Sequence, residues 1–194
     1  YPMNTADLMP QYVIEQIDAV SAGKAVVVTD VGQHQMWAAQ YFRYTRPRNF
    51  ITSGGLGTMG FGLPAAIGAQ FGRRGEPVVC VTGDGGVQMN FQELVVAVEH
   101  HIPIVVVILN NGFLGMVRQW QELFYGRRYS GVMLSQHGRA PNEQIPEGPG
   151  YLPDFVKMAE AHGACARRIF REEEVGPALR EALAEPTTTS VSCL

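Results

Sequence analysis

The chain has few of the features that mark secreted or membrane-spanning proteins. Its three cysteines, Cys80, Cys165 and Cys193, are an odd number in 194 residues and do not suit a disulfide framework. No apolar run reaches the roughly 18 residues that a membrane span requires, and the first residues lack the layout of a signal peptide. The sequence therefore favours a cytoplasmic protein whose cysteines are reduced and buried.

Excess charge of either sign is also missing. The chain has 15 Lys and Arg against 18 Asp and Glu, which gives a net charge of -3. This balance gives no electrostatic reason to expect nucleic acid or an anionic membrane as a partner. The hydrophobic content of 46% and the length fit one well-cored α/β domain.

What the chain does have is an alternation of strand-like and helix-like segments without internal repeats. This order predicts an α/β fold, a doubly wound and mainly parallel sheet with helices on both faces. The predicted strands are Ala25–Thr29, Val78–Val81, Ile104–Leu109, Ala164–Ile169 and Ser190–Leu194. The predicted helices are Pro10–Val20, Gln35–Tyr41, Leu63–Phe71, Asn90–His100, Phe113–Phe124, Pro153–His162 and Glu173–Ala184.

Polar clusters follow two neighbouring strands of this sheet. Asp84 stands in the sequence Gly-Asp-Gly-Gly after one strand, and Asn110-Asn111 follows the next. Because the carboxyl ends of parallel strands form the ligand-binding edge, both clusters are expected there. A carboxylate and an amide oxygen suit Mg²⁺, which usually reaches a protein through substrate phosphates. Taken singly, each cluster is equally typical of an ordinary turn.

The helix after this acidic cluster supports an anion site. Asn90 and Glu93 have the spacing of a capping box, in which each side chain satisfies an N–H group of the first turn. The positive end of the helix would then lie just past Gly85 and Gly86 and would stabilise an anionic diphosphate.

One segment, Ser135–Gly150, has no period and is rich in Gly, Pro and polar residues. It predicts a long loop, either a functional lid or a disordered insertion. The chain also stops inside an apparent β-run, Thr189–Leu194, which suggests a piece of a longer protein.

Four segments together resemble one enzyme family. Besides Gly-Asp-Gly followed by Asn-Asn, they are VGQHQMWAAQ at Val31–Gln40, TSGGLGTMGFGLPAAIGA at Thr52–Ala69 and LGMVRQW at Leu114–Trp120. In this order they resemble the C-terminal, thiamine-diphosphate-binding domain of the large catalytic subunit of acetolactate synthase, also called acetohydroxyacid synthase. The resemblance covers nearly the whole chain.

The resemblance implies a role for each matching residue. The Mg²⁺ ligands would be the side chains of Asp84 and Asn111 and the backbone carbonyl of Phe113. Met59 would wedge between the two rings of the cofactor and, with Gly57, hold its pyrimidine. The catalytic residues it implies are Met59, Met116 and Trp120. The cofactor-binding residues it implies are Gln33, His34, Gly57, Met59, Asp84, Gly85, Gly86, Asn111, Leu114, Gly115 and Met116.

The implied activity is decarboxylation of pyruvate and transfer of the two-carbon unit to a second 2-ketoacid, pyruvate or 2-ketobutyrate, in branched-chain amino-acid biosynthesis. The family also binds FAD, mainly in a middle domain, and carries an activating glutamate on an N-terminal pyrimidine-binding domain. Both domains would lie outside this chain, which is expected to be inactive alone. The resemblance also implies a homodimer or higher homo-oligomer, with a small regulatory subunit as a further partner.

Three other interpretations compete with this one. The first is another thiamine-dependent enzyme, such as a pyruvate oxidase, glyoxylate carboligase or sulfoacetaldehyde acetyltransferase, against which LGMVRQW argues. The second is a non-catalytic module that only binds the cofactor. The third is a nicotinamide-binding domain, but Asp30-Val31-Gly32-Gln33 follows the first strand where that class has G-x-G-x-x-G.

Overall fold

The computed structural model of the protein describes residues 8–134, 152–184 and 189–193, the last for the course of its strand alone. The predicted loop Ser135–Gly150 and the side chain of Cys193 lie outside these residues. The helices are α1 Pro10–Ser21, α2 Gln33–Tyr41, α3 Gly62–Gly72, α4 Asp84–Val87, α5 Leu94–Glu99, α6 Gly115–Phe124, α7 Phe155–Ala161 and α8 Glu172–Ala184, with a 3₁₀ turn at Phe91–Glu93. The strands are β1 Val26–Thr29, β2 Phe50–Thr52, β3 Val78–Gly83, β4 Ile104–Leu109, β5 Cys165–Ile169 and β6 Thr189–Cys193.

The described strands form one sheet in the order β2-β1-β3-β4-β6-β5, and every pair is parallel. From β1 the chain first moves outward to β2 and then returns to the other side of β1 to form β3. The winding direction therefore reverses between β1 and β3. A crevice at the carboxyl edge at such a point is where open α/β sheets bind ligands.

Alternate residues of the central strands build two separate cores. Val27, Val79 and Val105 pack against α1, α2 and α8, whereas Val26, Val78 and Ile104 pack against α3, α5 and α7. Both faces are buried because each parallel connection returns over the sheet through a helix. The predicted doubly wound α/β fold is confirmed.

Three local predictions are wrong. Asn90 and Glu93 form no capping box, since the Asn90 side chain makes no capping bond, and the helix predicted from Asn90 to His100 divides into the 3₁₀ turn and α5. A short helix that was not predicted, α4, begins at Asp84 itself. Of the cysteines, Cys80 is buried and Cys165 is exposed, so burial was wrongly predicted for Cys165; both are free thiols.

No helix among the described residues is both long enough and apolar enough to pass through a membrane.

Candidate functional site

A cavity of about 300 Å³ lies at the carboxyl edge of the sheet, where β1, β3 and β4 end. Its volume is at the small end of the range typical for ligand sites. Every residue that the sequence assigned to the site lines this cavity: Gln33, His34, Gly57, Met59, Asp84, Gly85, Gly86, Asn111, Phe113, Leu114, Gly115, Met116 and Trp120. The fold thus brings together segments that are up to 87 positions apart, from Gln33 to Trp120.

Asp84 follows β3 directly and is buried, with 2% of its surface exposed. Its Oδ1 accepts from the N–H of Gly85 at 2.8 Å, and its Oδ2 accepts from the N–H of Gly112 at 2.5 Å. Burial raises the pKa of Asp84 above its ordinary value, and these backbone donors counteract the rise only in part. A cation beside this carboxylate would relieve the cost of burying its charge.

Asn111 and Phe113 lie beside Asp84 because the segment after β4 is held in place by backbone pairing. Leu114 donates its N–H to Val132 O at 2.8 Å, and Leu134 donates its N–H to Gly112 O at 3.0 Å. Asn111 is exposed, and its Oδ1 accepts from the N–H of Phe113 at 3.0 Å. An amide oxygen has two acceptor positions, so this bond leaves Asn111 one for a ligand.

Two glycines let neighbouring side chains approach the backbone more closely than any other residue would allow. A Cβ on Gly85 would come within 2.6 Å of Leu114 Cδ2 and 3.4 Å of the Met59 methyl carbon. A Cβ on Gly115 would overlap the side-chain oxygen of Gln33. The N–H of Gly85 already donates to Asp84, so Gly85 provides mainly room.

Gln33 and His34 begin α2 at the end of β1 and approach the cavity from the neighbouring strand. Gln33 Nε2 donates to Gln119 Oε1 of α6 at 3.1 Å, which ties the two helices together. His34 is buried, and its Nε2 has no hydrogen-bond partner. Burial lowers the pKa of His34 to about 4, so its ring is neutral at pH 7.

Met59 lies on a glycine-rich loop between β2 and α3. Ser53 shapes the loop, since its carbonyl accepts from the N–H of Gly57 at 3.1 Å and its Oγ accepts from the N–H of Thr58 at 3.1 Å. The Met59 methyl carbon reaches to within van der Waals distance of the space above Gly85. The side chain therefore spans from the loop to the turn that follows β3.

Helix α6 forms the outer wall of the cavity. Met116 and Trp120 are one turn apart and both line the cavity. Trp120 is nonetheless 52% exposed, and α6 has no buried residue. Among the described residues, the cavity is therefore most exposed to solvent on the side formed by α6.

The donor set fits Mg²⁺ and a diphosphate. Across the described ranges no three His, Cys, Asp or Glu side chains gather into a metal site, so a cation here depends on one carboxylate together with amide and backbone oxygens. Such all-oxygen sets suit Mg²⁺ when phosphates complete them. The unpartnered Nε2 of buried His34 is an orphaned polar group that a ligand would satisfy.

Sequence reasoning did not assign Val31, Gly32, Trp37, Gly83, Leu109 and Val117, which also line the cavity. Nor did it assign a role to Asp30, a buried carboxylate that bonds to the Met59 loop. The sequence signal for Asp30 is its place directly after the first strand.

A comparison with family models gives one match. Residues 30–193 match the family described as thiamine pyrophosphate enzyme, C-terminal TPP binding domain. The matched range contains every cavity residue named above.

The chain is similar to several acetolactate synthase large subunits. It is 47% identical over 183 residues to that of Mycobacterium tuberculosis, covering 94% of this chain and 28% of the relative. It is 46% identical over 183 residues to the isozyme 3 large subunit of Escherichia coli, covering 94% of this chain and 29% of the relative. The chain thus spans less than a third of the relatives' length.

A solved structure shares the fold. The thiamine diphosphate-dependent 4-hydroxybenzoylformate decarboxylase of Rhodococcus jostii superposes with a TM-score of 0.83 at 25% identity, over 98% of this chain and 33% of that chain.

Proposed function

This chain belongs to the thiamine pyrophosphate enzymes as a C-terminal TPP-binding domain, and from that premise we propose that it serves an acetolactate synthase. The enzyme would decarboxylate pyruvate and join the two-carbon unit to pyruvate or 2-ketobutyrate. The supporting observation is that Asp84, His34 and Met59, from three different segments, converge on one cavity. Identities of 46 to 47% with acetolactate synthases favour this activity over that of the decarboxylase, which is 25% identical.

The Mg²⁺ site of the proposal consists of the Asp84 carboxylate, the Asn111 amide oxygen and the Phe113 carbonyl. Asp84 is suited to this role because its buried charge lacks a cationic partner among the groups that act on its pKa. The metal would in turn compensate the charge of a diphosphate, which an uncharged wall could not do.

The diphosphate would lie between Gly86 on one side and Gln33 and His34 on the other. Neutral His34 hydrogen-bonds to the Asp30 backbone and would present its unpartnered Nε2 to the cofactor without requiring a buried positive charge. Gly115 makes room for the Gln33 side chain, and Gly85 makes room for that of Leu114.

Met59 and α6 would shape the reacting end of the site. Bound thiamine diphosphate supplies the electron sink for decarboxylation, while the protein supplies position and electrostatics. Met59 would set the fold of the cofactor, with Gly57 holding its pyrimidine. Met116 and Trp120 would face the substrates and exclude water from one side.

The wider assembly belongs to the same proposal. Since the chain covers 28 to 29% of its relatives, we infer that a pyrimidine-binding domain and an FAD-binding middle domain complete the enzyme. We further infer a homo-oligomer, which a small regulatory subunit could join. The free thiols of Cys80 and Cys165 favour a cytoplasmic location.

Calorimetric titration of the purified chain with thiamine diphosphate tests the binding half of this proposal. We expect saturable binding in the presence of Mg²⁺ and loss of binding when a chelator removes the metal. Binding that is equally strong with and without Mg²⁺ would contradict the assigned metal site.

A further inference from the structure

Asn90 is the residue of the predicted capping box that makes no cap, and its side chain has a different partner. Asn90 Nδ2 donates to the carbonyl of Gly60 at 2.9 Å. On the other side of the same residue, the N–H of Gly60 donates to Asp30 Oδ1 at 2.8 Å. Gly60 directly follows Met59, and both its N–H and its C=O are therefore hydrogen-bonded to side chains.

The two residues that bond to Gly60, Asp30 and Asn90, come from different parts of the fold. Asp30 follows β1, whereas Asn90 lies between α4 and the 3₁₀ turn. Asp30 is 1% exposed and Asn90 is half-buried, so both bonds are at least partly shielded from solvent. At Gly60 the loop is thus bonded to two segments that lie outside it.

Gly60 fits this arrangement as no other residue would. Its φ is +87°, and a Cβ there would come within 2.7 Å of Met89 Cβ and 2.9 Å of Asn90 Nδ2. The loop can approach Asn90 this closely only with glycine at position 60.

Asp30 also connects the loop to the rest of the cavity. Its Oδ1 accepts a second bond, from the N–H of Val31 at 2.8 Å, at the entry to the Gln33 and His34 segment. Its Oδ2 accepts from Thr82 Oγ1 at 3.3 Å. A Cβ on Gly86 would overlap this oxygen, so the turn after β3 packs directly on Asp30.

We propose that Asp30 and Asn90 are positioning residues that fix the backbone on the C-terminal side of Met59, and so set where Met59 meets thiamine diphosphate. This inference rests on the proposed function, in which Met59 contacts the cofactor. Methionine has three flexible side-chain bonds, so its position depends on a fixed backbone. Preorganised supporting contacts of this kind decide whether a site is accurate.

Two ligands separate positioning of Met59 from a general effect on the site. Thiamine diphosphate uses both the diphosphate end and the Met59 end, whereas inorganic diphosphate with Mg²⁺ uses the first alone. We expect Asn90→Leu to weaken thiamine diphosphate binding about tenfold, the effect of one lost hydrogen bond. Its affinity for inorganic diphosphate should stay at the parent value. Equal weakening of both ligands, or of neither, would overturn the inference.

Asn49 offers a matched control. It is a buried asparagine whose Nδ2 donates to a backbone carbonyl, that of Ala25 at 3.5 Å, at the opposite end of β1. Asn49→Leu therefore removes the same kind of bond away from the cavity and should leave both affinities unchanged. If Asn49→Leu weakens thiamine diphosphate as much as Asn90→Leu does, the effect is one of fold stability and the inference fails.

The hydrogen bond between Asp30 and Gly60 can be tested with a conservative and a disruptive substitution of Asp30. Asp30→Asn keeps a side-chain oxygen for the Gly60 N–H, whereas Asp30→Ala removes it. We expect Asn to retain most of the thiamine diphosphate affinity and Ala to lose it. Should Asp30→Ala fail to fold, Asn90→Ser, whose side chain is too short to reach the Gly60 carbonyl, provides a second independent test. Parent-level binding by Asn90→Ser would then reject the proposal.

Amide hydrogen exchange of the ligand-free chain tests the geometry without any cofactor. The Gly60 amide should be protected in the parent and exchange faster in Asp30→Ala, with no change in β4. A parent that binds neither ligand would refute the proposed function. A parent that binds both, with Asp30 and Asn90 variants that bind identically and leave Gly60 equally protected, would refute this inference alone.

Discussion

At the scale of single residues, Asp84 carries the most weight because it is the one carboxylate that lines the described cavity. Replacing it with alanine removes the charged ligand of the proposed Mg²⁺ site. Thiamine diphosphate with Mg²⁺, at a hundredfold excess over Kd, should stabilise the parent by roughly 2.7 kcal/mol. We expect this ligand-induced thermal shift to vanish in Asp84→Ala.

The control for Asp84 is Asp154, which caps α7 by accepting from the N–H groups of Val156 and Lys157. Asp154→Ala should lower the unfolding temperature with and without ligand while keeping the ligand-induced shift. An undiminished shift in Asp84→Ala would remove Asp84 from the metal site.

His34 gives a pH dependence of folding with a defined sign. Its pKa falls from 6.5 to about 4 on folding because burial disfavours the charged ring. Between these values the unfolded chain binds a proton that the folded chain does not, so His34 stabilises the fold above pH 6.5 and destabilises it progressively toward pH 4. The full difference is about 3 kcal/mol.

Denaturant unfolding of the ligand-free chain between pH 7 and pH 4 measures this effect. Burial raises the pKa values of Asp30 and Asp84, so these two residues favour the folded state at low pH, opposite to His34. Their contribution is the same in the parent and in the variant. The difference between the parent and His34→Gln therefore isolates the histidine. We expect the variant to lose less stability on acidification, and identical pH profiles would show that His34 is not buried as described.

Trp120 belongs to the proposed substrate end of the site. In the assembled enzyme, its indole would contact the extra methyl group of 2-ketobutyrate, a contact worth about 1 to 3 kcal/mol in an apolar pocket. Trp120→Leu should therefore shift the product ratio toward acetolactate when pyruvate and 2-ketobutyrate compete. Phe124→Leu, on the same helix but 74% exposed, is the control. An unchanged ratio in Trp120→Leu would reject the contact.

At the scale of elements, α6 is unusual in having apolar residues without a buried one. Val117, Trp120, Leu123 and Phe124 are all more than 40% exposed. An apolar helix face of this kind marks an interaction surface, and we expect it to lie in the proposed homo-oligomer.

Sedimentation of a Leu123→Ser, Phe124→Ser double variant tests this surface. Exposed substitutions cost little folding stability, within about 0.5 kcal/mol, so the variant should fold normally but associate less. Phe71→Ser, at an exposed phenylalanine of α3, should associate like the parent. Unchanged association of the double variant would exclude the α6 face from the interface.

The elements also show how far sequence reasoning extends. The bounds of strand β4 were predicted correctly because a run of six apolar residues between two turns is typical of a buried strand. Strand β2 was missed, since it has three partly buried residues and no period to detect. The Asn90 capping box failed because the long-range bond to Gly60 competes with the local cap, and local spacing carries no information about it.

The residues of the site likewise divide into those that local sequence motifs predict and those that depend on long-range contacts. Residues in continuous motifs, such as Asp84 and Asn111, could be placed because parallel strands end at one edge. Asp30 could not, since its function depends on which loop the fold brings against it. The resemblance supplied the roles of Met59 and Trp120, which no periodicity distinguishes from core residues.

At the scale of the whole molecule, the chain covers less than a third of its acetolactate synthase relatives. The cavity has the features expected of one part of an active site that other domains complete. Its α6 wall is exposed, and Asp84, its one carboxylate among the described residues, is the residue that the proposal assigns to the metal. General acid-base activation requires a carboxylate within about 2.6 to 3.2 Å of the reacting nitrogen.

We therefore expect this chain alone to bind thiamine diphosphate but not to produce acetolactate. The activating glutamate of the proposed enzyme would come from a separate pyrimidine-binding domain, and closure by that domain would exclude the water that weakens electrostatic interactions in an open site. The measurement is pyruvate consumption with thiamine diphosphate, Mg²⁺ and FAD, before and after adding the N-terminal and middle domains of an acetolactate synthase. A matched addition of middle domain alone separates the contribution of the glutamate from that of FAD. Turnover by the chain alone at the reconstituted rate would mean that the catalytic acid lies within these 194 residues, and the division of the active site between domains would be wrong.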